Sequence, residues 1–172
     1  MPRELLILRH AKSDWNGEAS SDFARPLAKR GKRDAPRMGA WMYREGLVPD
    51  LVVSSPAERA RQTTQAVCKG LDYKRKAVVW DEAIYGATVA DLLGVLGRLP
   101  ADAKTVLLVG HNPGLEDLLV HLVGDDADEL DDGKLLPTAA LARLEMPDDW
   151  SGLTQGCAQL LTLTLPKALR GR

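Results

Sequence analysis

Four aliphatic residues in unbroken succession, Leu5 to Leu8, run straight into Arg9 and His10. A strand with one wet face alternates apolar and polar side chains, whereas an unbroken aliphatic run suits a strand covered on both faces, the situation inside a parallel sheet. Leu51 to Val53 and Thr105 to Val109 repeat the pattern, and Ala77 to Trp80 adds another short run. Parallel neighbours need crossover connections, and the intervening segments supply them. Ala35, Met38, Trp41 and Met42 recur at helical spacing, with Gly46 and Pro49 as the stop. Pro36 suits a first turn, which predicts a regular helix starting near Asp34. A second helix is predicted with Ser55 as its cap, Pro56 at its first position and Glu58 completing a Ser-x-x-Glu capping box. Ala57, Ala60, Thr64, Val67 and Leu71 then fall on one face. Thr88 opens a third helix through Leu92, Leu96 and Leu99, and Leu115, Leu118, Leu119 and Leu122 stripe a fourth. Residues 138–146 and 158–166 alternate enough for two more strands. The expected fold is α/β: a three-layer α/β/α sandwich around a mainly parallel sheet of about five or six strands, with helices on both faces.

A chain of 172 residues with 45% hydrophobic content can bury one sizeable core, so a single domain, 1–172, is expected. No stretch approaches the roughly 20 apolar residues that span a bilayer, and Met1 leads into charged Arg3 and Glu4 without a signal-peptide pattern. A cytoplasmic protein with no membrane association is expected. Cys68 and Cys157 lie far apart without metal-ligand spacing and fit reduced thiols, most simply core filler. The acidic run 124–133 resembles a calcium loop only superficially, because Leu130 takes a ligand position and no glutamate closes it. It reads as a solvated loop, and no metal site is expected.

Charge is distributed unevenly: residues 1–76 carry 16 Lys plus Arg against 9 acids, while 77–172 carry 7 against 15. The cations are dispersed and no aromatic-rich binding module accompanies them, so a small anion fits better than a nucleic acid. In open parallel sheets ligands sit at the carboxyl ends of the strands. Three such ends carry Arg9 with His10, the helix start bearing Arg59, and His111. Arginine forks bind phosphate oxygens bidentately, which makes a phosphoryl group the natural guest of this set. Taken alone, His10 is more simply a strand-end histidine and Arg59 a surface arginine; their convergence favours chemistry. His121, on an apolar helix, reads as structural, Lys12 and Arg61 as surface charges, and Trp15, Trp41, Trp80 and Trp150 as packing residues.

The segments "LRHAKS", "SSPAERARQT" and "VGHNPGL", in this order, resemble the histidine phosphatase superfamily with its phosphoglycerate-mutase-like fold, and more closely its small bacterial phosphohistidine phosphatases. "ARPLAKRG" and "DEAIYGA" are similar to two further segments of the family. The resemblance implies that His10 is the nucleophile, that Arg9 and Arg59 clamp the phosphoryl group with His111 assisting, and that Arg25 helps to line the pocket. Glu82 matches the position of the general acid in mutase-like members, with Asp81 beside it. Ala11 replaces the family's common glycine after the histidine, which implies a changed backbone approach to phosphate. No cofactor is implied. The expected activity is removal of phosphate from a phosphohistidine-bearing phosphotransfer protein through a phosphohistidine enzyme intermediate. The alternatives are a phosphatase of small phosphorylated metabolites using the same centre, and a noncatalytic phosphoprotein-binding domain. Mutase activity is disfavoured, because short connections after each strand leave little material for a lid.

Overall fold

The computed structural model describes residues 2–73, 77–124 and 135–170. Among these residues six strands form one sheet: β1 (Arg3–Arg9), β2 (Leu51–Ser54), β3 (Val78–Trp80), β4 (Thr105–Gly110), β5 (Leu141–Met146) and β6 (Gln159–Thr164). Their spatial order is β3-β2-β4-β1-β5-β6. β3, β2, β4 and β1 pair in parallel, while β5 and β6 are added antiparallel. The helices are α1 (Lys29–Arg44), α2 (Glu58–Gly70), α3 (Val89–Gly97) and α4 (Gly114–Val123). The expected mainly parallel sheet is therefore present, with an antiparallel edge made by the two alternating stretches.

The unbroken aliphatic runs are explained by the two cores they separate. Leu5, Ile7, Val106 and Leu108 point into a cluster with Leu92, Leu96, Leu115, Leu118 and Leu122. Leu6, Leu8, Leu107 and Val109 point the other way, onto Met38, Met42, Ala60 and Val67. Successive side chains of a strand face opposite sides, so both faces must be apolar when helices cover both. Every one of those eight strand residues is fully buried.

Two local readings are corrected. Helix α1 begins at Lys29 rather than near Asp34, and Pro36 sits inside it. A proline there forgoes one helical hydrogen bond, but burial of Gly31, Asp34, Ala35 and Met38 holds the earlier turn in place, so packing overrides the local preference. Helix α2 begins at Glu58 after Ala57, with no side-chain cap and no Ser55–Glu58 capping box. Ser55 Oγ accepts from Ala57 N at 3.2 Å and turns its other side to His111. By contrast, Thr88 and Asp91 form a complete capping box at the start of α3. The acidic run read as a solvated loop lies, from residue 125 on, outside the described residues. Among the described residues, no helix is long and apolar enough to cross a membrane.

Candidate active site

Parallel pairing aligns the ends of the central strands. Arg9 is in register with Gly110, and His10 N donates to Gly110 O at 3.0 Å. Ser55 N donates to Val109 O, so the residue after β2 is tied to the end of β4. His10 and His111 thereby emerge side by side, their ring centroids 5.2 Å apart. Arg59 enters from the first turn of α2. Arg9 completes the group: its guanidinium donates to Leu136 O at 3.3 Å.

The tautomer of His10 follows from one contact. Its Nδ1 lies 2.8 Å from Ala11 O, and because a carbonyl can only accept, Nδ1 carries the proton. Nε2 is left with its lone pair. Burial is the main reason that the pKa of His10 is held down at about 3, with His111, Arg59 and Arg9 adding to the effect. His111 is held at about 4, again chiefly by burial and next by Arg59. Both imidazoles are neutral at physiological pH. An unprotonated nitrogen among arginines can attack an electrophile whose charge those arginines hold.

Among the described residues, the buried side-chain nitrogens without a hydrogen-bond partner are Nε of Arg9, Arg25 and Arg59 and Nδ1 of His111. Buried polar nitrogens are ordinarily paired. All four belong to one rim, and three are guanidinium edges suited to oxyanions. No group of three or more His, Cys, Asp or Glu among the described residues could hold a metal ion.

The sequence reasoning missed Asp22. Its Oδ2 receives Arg59 Nη2 at 3.0 Å and the Tyr85 hydroxyl at 2.7 Å, its Oδ1 receives Arg25 Nη2 at 3.1 Å, and its backbone carbonyl receives Arg59 Nη1 at 2.7 Å. The hydrogen bond from Tyr85, followed by the arginines, holds its carboxyl down at about 2. Tyr85 also sets its ring edge-on to His111, at 5.4 Å between centroids, and to Phe23 at 5.1 Å. The only sequence signal was the Asp-x-x-Arg spacing to Arg25 and the tyrosine inside "DEAIYGA".

The expected residues fall as follows. Arg9, His10, Arg59 and His111 come together. Arg25 reaches the rim through Asp22 and donates to Ser13 Oγ. Glu82 opens a short 3₁₀ turn, Glu82–Ile84, and is exposed; Tyr85, three residues on, is the member of that segment that touches Arg59, Asp22 and His111. The amide of Ala11 donates to Thr63 Oγ1 at 3.0 Å, and its methyl is buried with Leu27, Ala35 and Ala139. The alanine thus serves packing between β1 and the helices rather than backbone approach to a ligand. Two tryptophans are corrected: Trp15 is 70% exposed and stacks on the Arg25 guanidinium at 3.6 Å, and Trp80 is also exposed, while Trp150 is buried.

Comparison with known proteins agrees with this geometry. The family model of the histidine phosphatase superfamily (branch 1) matches residues 5–84. The fold superposes on SixA of Agrobacterium tumefaciens, assigned as a phosphohistidine phosphatase, with TM-score 0.81 and 30% identity over 96% of this chain and 99% of that one. The chain belongs to the histidine phosphatase superfamily. A second SixA protein so assigned, from Nakamurella multipartita, gives TM-score 0.82 and 31% identity over 96% and 97% of the two chains. A 2,3-bisphosphoglycerate-dependent phosphoglycerate mutase of Azorhizobium caulinodans is 32% identical over 106 residues, 60% of this chain and 51% of the mutase. Within the superfamily the chain is a phosphatase-type hydrolase close to SixA.

Proposed function

We propose that this single-domain cytoplasmic protein removes phosphate from phosphohistidine on another protein, with His10 as nucleophile. The observation that carries the reading is the His10 Nδ1 to Ala11 O hydrogen bond, which leaves Nε2 unprotonated among Arg9, Arg59 and His111. His10 Nε2 attacks phosphorus as the bond from phosphorus to the substrate imidazole breaks; the departing imidazole keeps the electron pair and takes a proton from solvent. Arg9, Arg59 and His111 stabilise the charge spread over the equatorial oxygens. Water then attacks phosphoryl-His10, releasing inorganic phosphate and restoring Nε2. Arginines supply the charge stabilisation, so the scheme calls for no cofactor.

The exposed placement of Glu82 favours phosphohistidine over esters as the substrate. An alkoxide leaving group needs a positioned acid, whereas imidazole departs once protonated by solvent. The likeness to SixA proteins supports the same choice; the partial likeness to mutases supports the second reading, a small-metabolite phosphatase in which Glu82 is the acid. Phosphate release from a phosphohistidine-bearing phosphotransfer protein and from a panel of sugar and glycerol phosphates separates the two. The proposal expects phosphohistidine to have the higher kcat/KM, with Glu82→Gln leaving it nearly unchanged; under the metabolite reading the same substitution lowers ester hydrolysis about 10²-fold. A strong preference for one ester, lost in Glu82→Gln, would transfer the assignment to the metabolite reading.

A further inference from the structure

We propose that Asp22 is a specificity-determining residue: its carboxylate stands on the solvent side of the arginine clamp, admits a lone phosphoryl group on a neutral or cationic carrier, and disfavours phosphate compounds bearing a second anionic group. The inference rests on reading this rim as the phosphoryl site. Position comes first. The Asp22 side chain is 49% exposed and the Arg59 side chain that it binds only 7%, so the carboxylate lies outward of the guanidinium that would hold phosphate. It occupies Arg59 Nη2 with Oδ2, and its backbone carbonyl occupies Nη1, leaving the Nε edge of Arg59 without a protein partner.

Charge gives the rest of the argument. Among the described residues, the charged side chains that act on Arg9 and the two imidazoles are Arg9, Arg25 and Arg59 against Asp22 and Glu116. Glu116 is half-buried and held in place, its Oε2 accepting from Leu136 N at 2.9 Å. With both imidazoles neutral, three cations among the described residues face two anions, a surplus of one positive charge. A phosphoryl dianion already exceeds that surplus, so a carboxylate or second phosphate on the same substrate finds no unmatched cation among these groups and meets Asp22. An imidazole carrier avoids the clash. On departure it becomes a neutral N–H donor, which the half-exposed carboxylate can accept.

Glycerol 3-phosphate and 3-phosphoglycerate test this, since they share a phosphate ester and differ in a hydroxymethyl or carboxylate end. Calorimetry gives both dissociation constants without relying on turnover. Asp22→Asn keeps an acceptor for Tyr85 and removes the charge; it is expected to shift the ratio of the two constants toward 3-phosphoglycerate about tenfold, the order of one charge contact at a partly solvated rim. Tyr85→Phe, which leaves the charge in place, is expected to leave the ratio alone. In the wild type, the preference for glycerol 3-phosphate should shrink as salt is raised; this reading survives even if Asp22→Asn fails to fold. A ratio unmoved in Asp22→Asn, or both ligands weakened in parallel, would overturn the filter and reduce Asp22 to a residue that merely positions Arg59. Failure of the wild type to dephosphorylate phosphohistidine, with the ratio still shifted, would sink the functional reading alone.

Discussion

Nδ1 of His10 gives its proton to a hydrogen bond with Ala11 O, so Nε2 is the ring nitrogen left for the proposed attack on phosphorus. His10→Ala is accordingly expected to abolish turnover while the fold persists, and rapid-quench experiments should find acid-labile phosphate on His10 of the wild type; labelling at another residue would refute the role. The same burial has a consequence for stability. His10 is held at about 3 and His111 at about 4 in the fold, against roughly 6.5 for an exposed imidazole. Between those limits the unfolded chain binds protons that the folded chain refuses, so stability is greatest above about pH 6.5 and declines as pH falls toward 4 and then 3. Asp22, depressed to about 2 from 3.8, adds its own loss below about pH 4. Thermal unfolding followed from pH 7 to pH 4.5 should show the decline, and His10→Asn should flatten it; parallel curves would contradict the buried neutral imidazole. The four residues around this nitrogen were legible because strand ends in a parallel sheet share one rim. Asp22 was not, since its partners Arg59 and Tyr85 lie 37 and 63 residues away, and one aspartate in a polar loop looks like any other.

Helices α1 and α2 approach so closely that glycine is required between them. A Cβ on Gly39 would stand 2.6 Å from Val67 O, and one on Gly70 would stand 2.8 Å from Ala40 N. Both obstacles are backbone, so they cannot swing aside. Gly39→Ala is expected to destabilise by about 1–3 kcal/mol, as overpacking of a close contact does, measured as a lower urea midpoint at unchanged slope. Gly94 in α3 provides the converse: its added methyl would meet only the flexible tip of Arg98 at 3.5 Å. Gly94→Ala should stabilise by roughly 0.5–1 kcal/mol through helix propensity. If both substitutions moved stability in the same direction, the packing account would fail. Periodicity revealed all four helices, but not the start of α1, because what holds its first turn is contact with a distant loop: a Cβ on Gly31 would collide with Lys12 O. The Ser-x-x-Glu signal failed at α2 for a related reason. Ser55 is drawn to His111, 56 residues away, at 2.7 Å, and a tertiary partner outcompetes a local cap.

Strand order puts β1, β2 and β4 side by side, so the site residues gather at the carboxyl ends of these strands, and the basic N-terminal half supplies most of that rim. The surplus of 16 cations over 9 acids in residues 1–76 gives a field that can guide an anionic partner. Arg61, two residues beyond Arg59 on the outer side of α2, is exposed and shares a shallow groove with Pro56, Gln65 and Trp80. A folded acidic protein that offers a phosphorylated side chain brings its own charges within reach of the field of Arg61, whereas a small phosphoramidate touches only the rim. Steering acts on the encounter rate and fades with salt, while clamp contacts act on both substrates alike. Arg61→Glu is therefore expected to lower kcat/KM on an acidic phosphohistidine protein about tenfold at low ionic strength, with the deficit closing as salt rises. Its kcat/KM on phosphoimidazole should stay at the wild-type value. Equal losses on both substrates would mean that Arg61 supports the clamp itself, and no loss on either would mean that the protein partner approaches from another side of the rim.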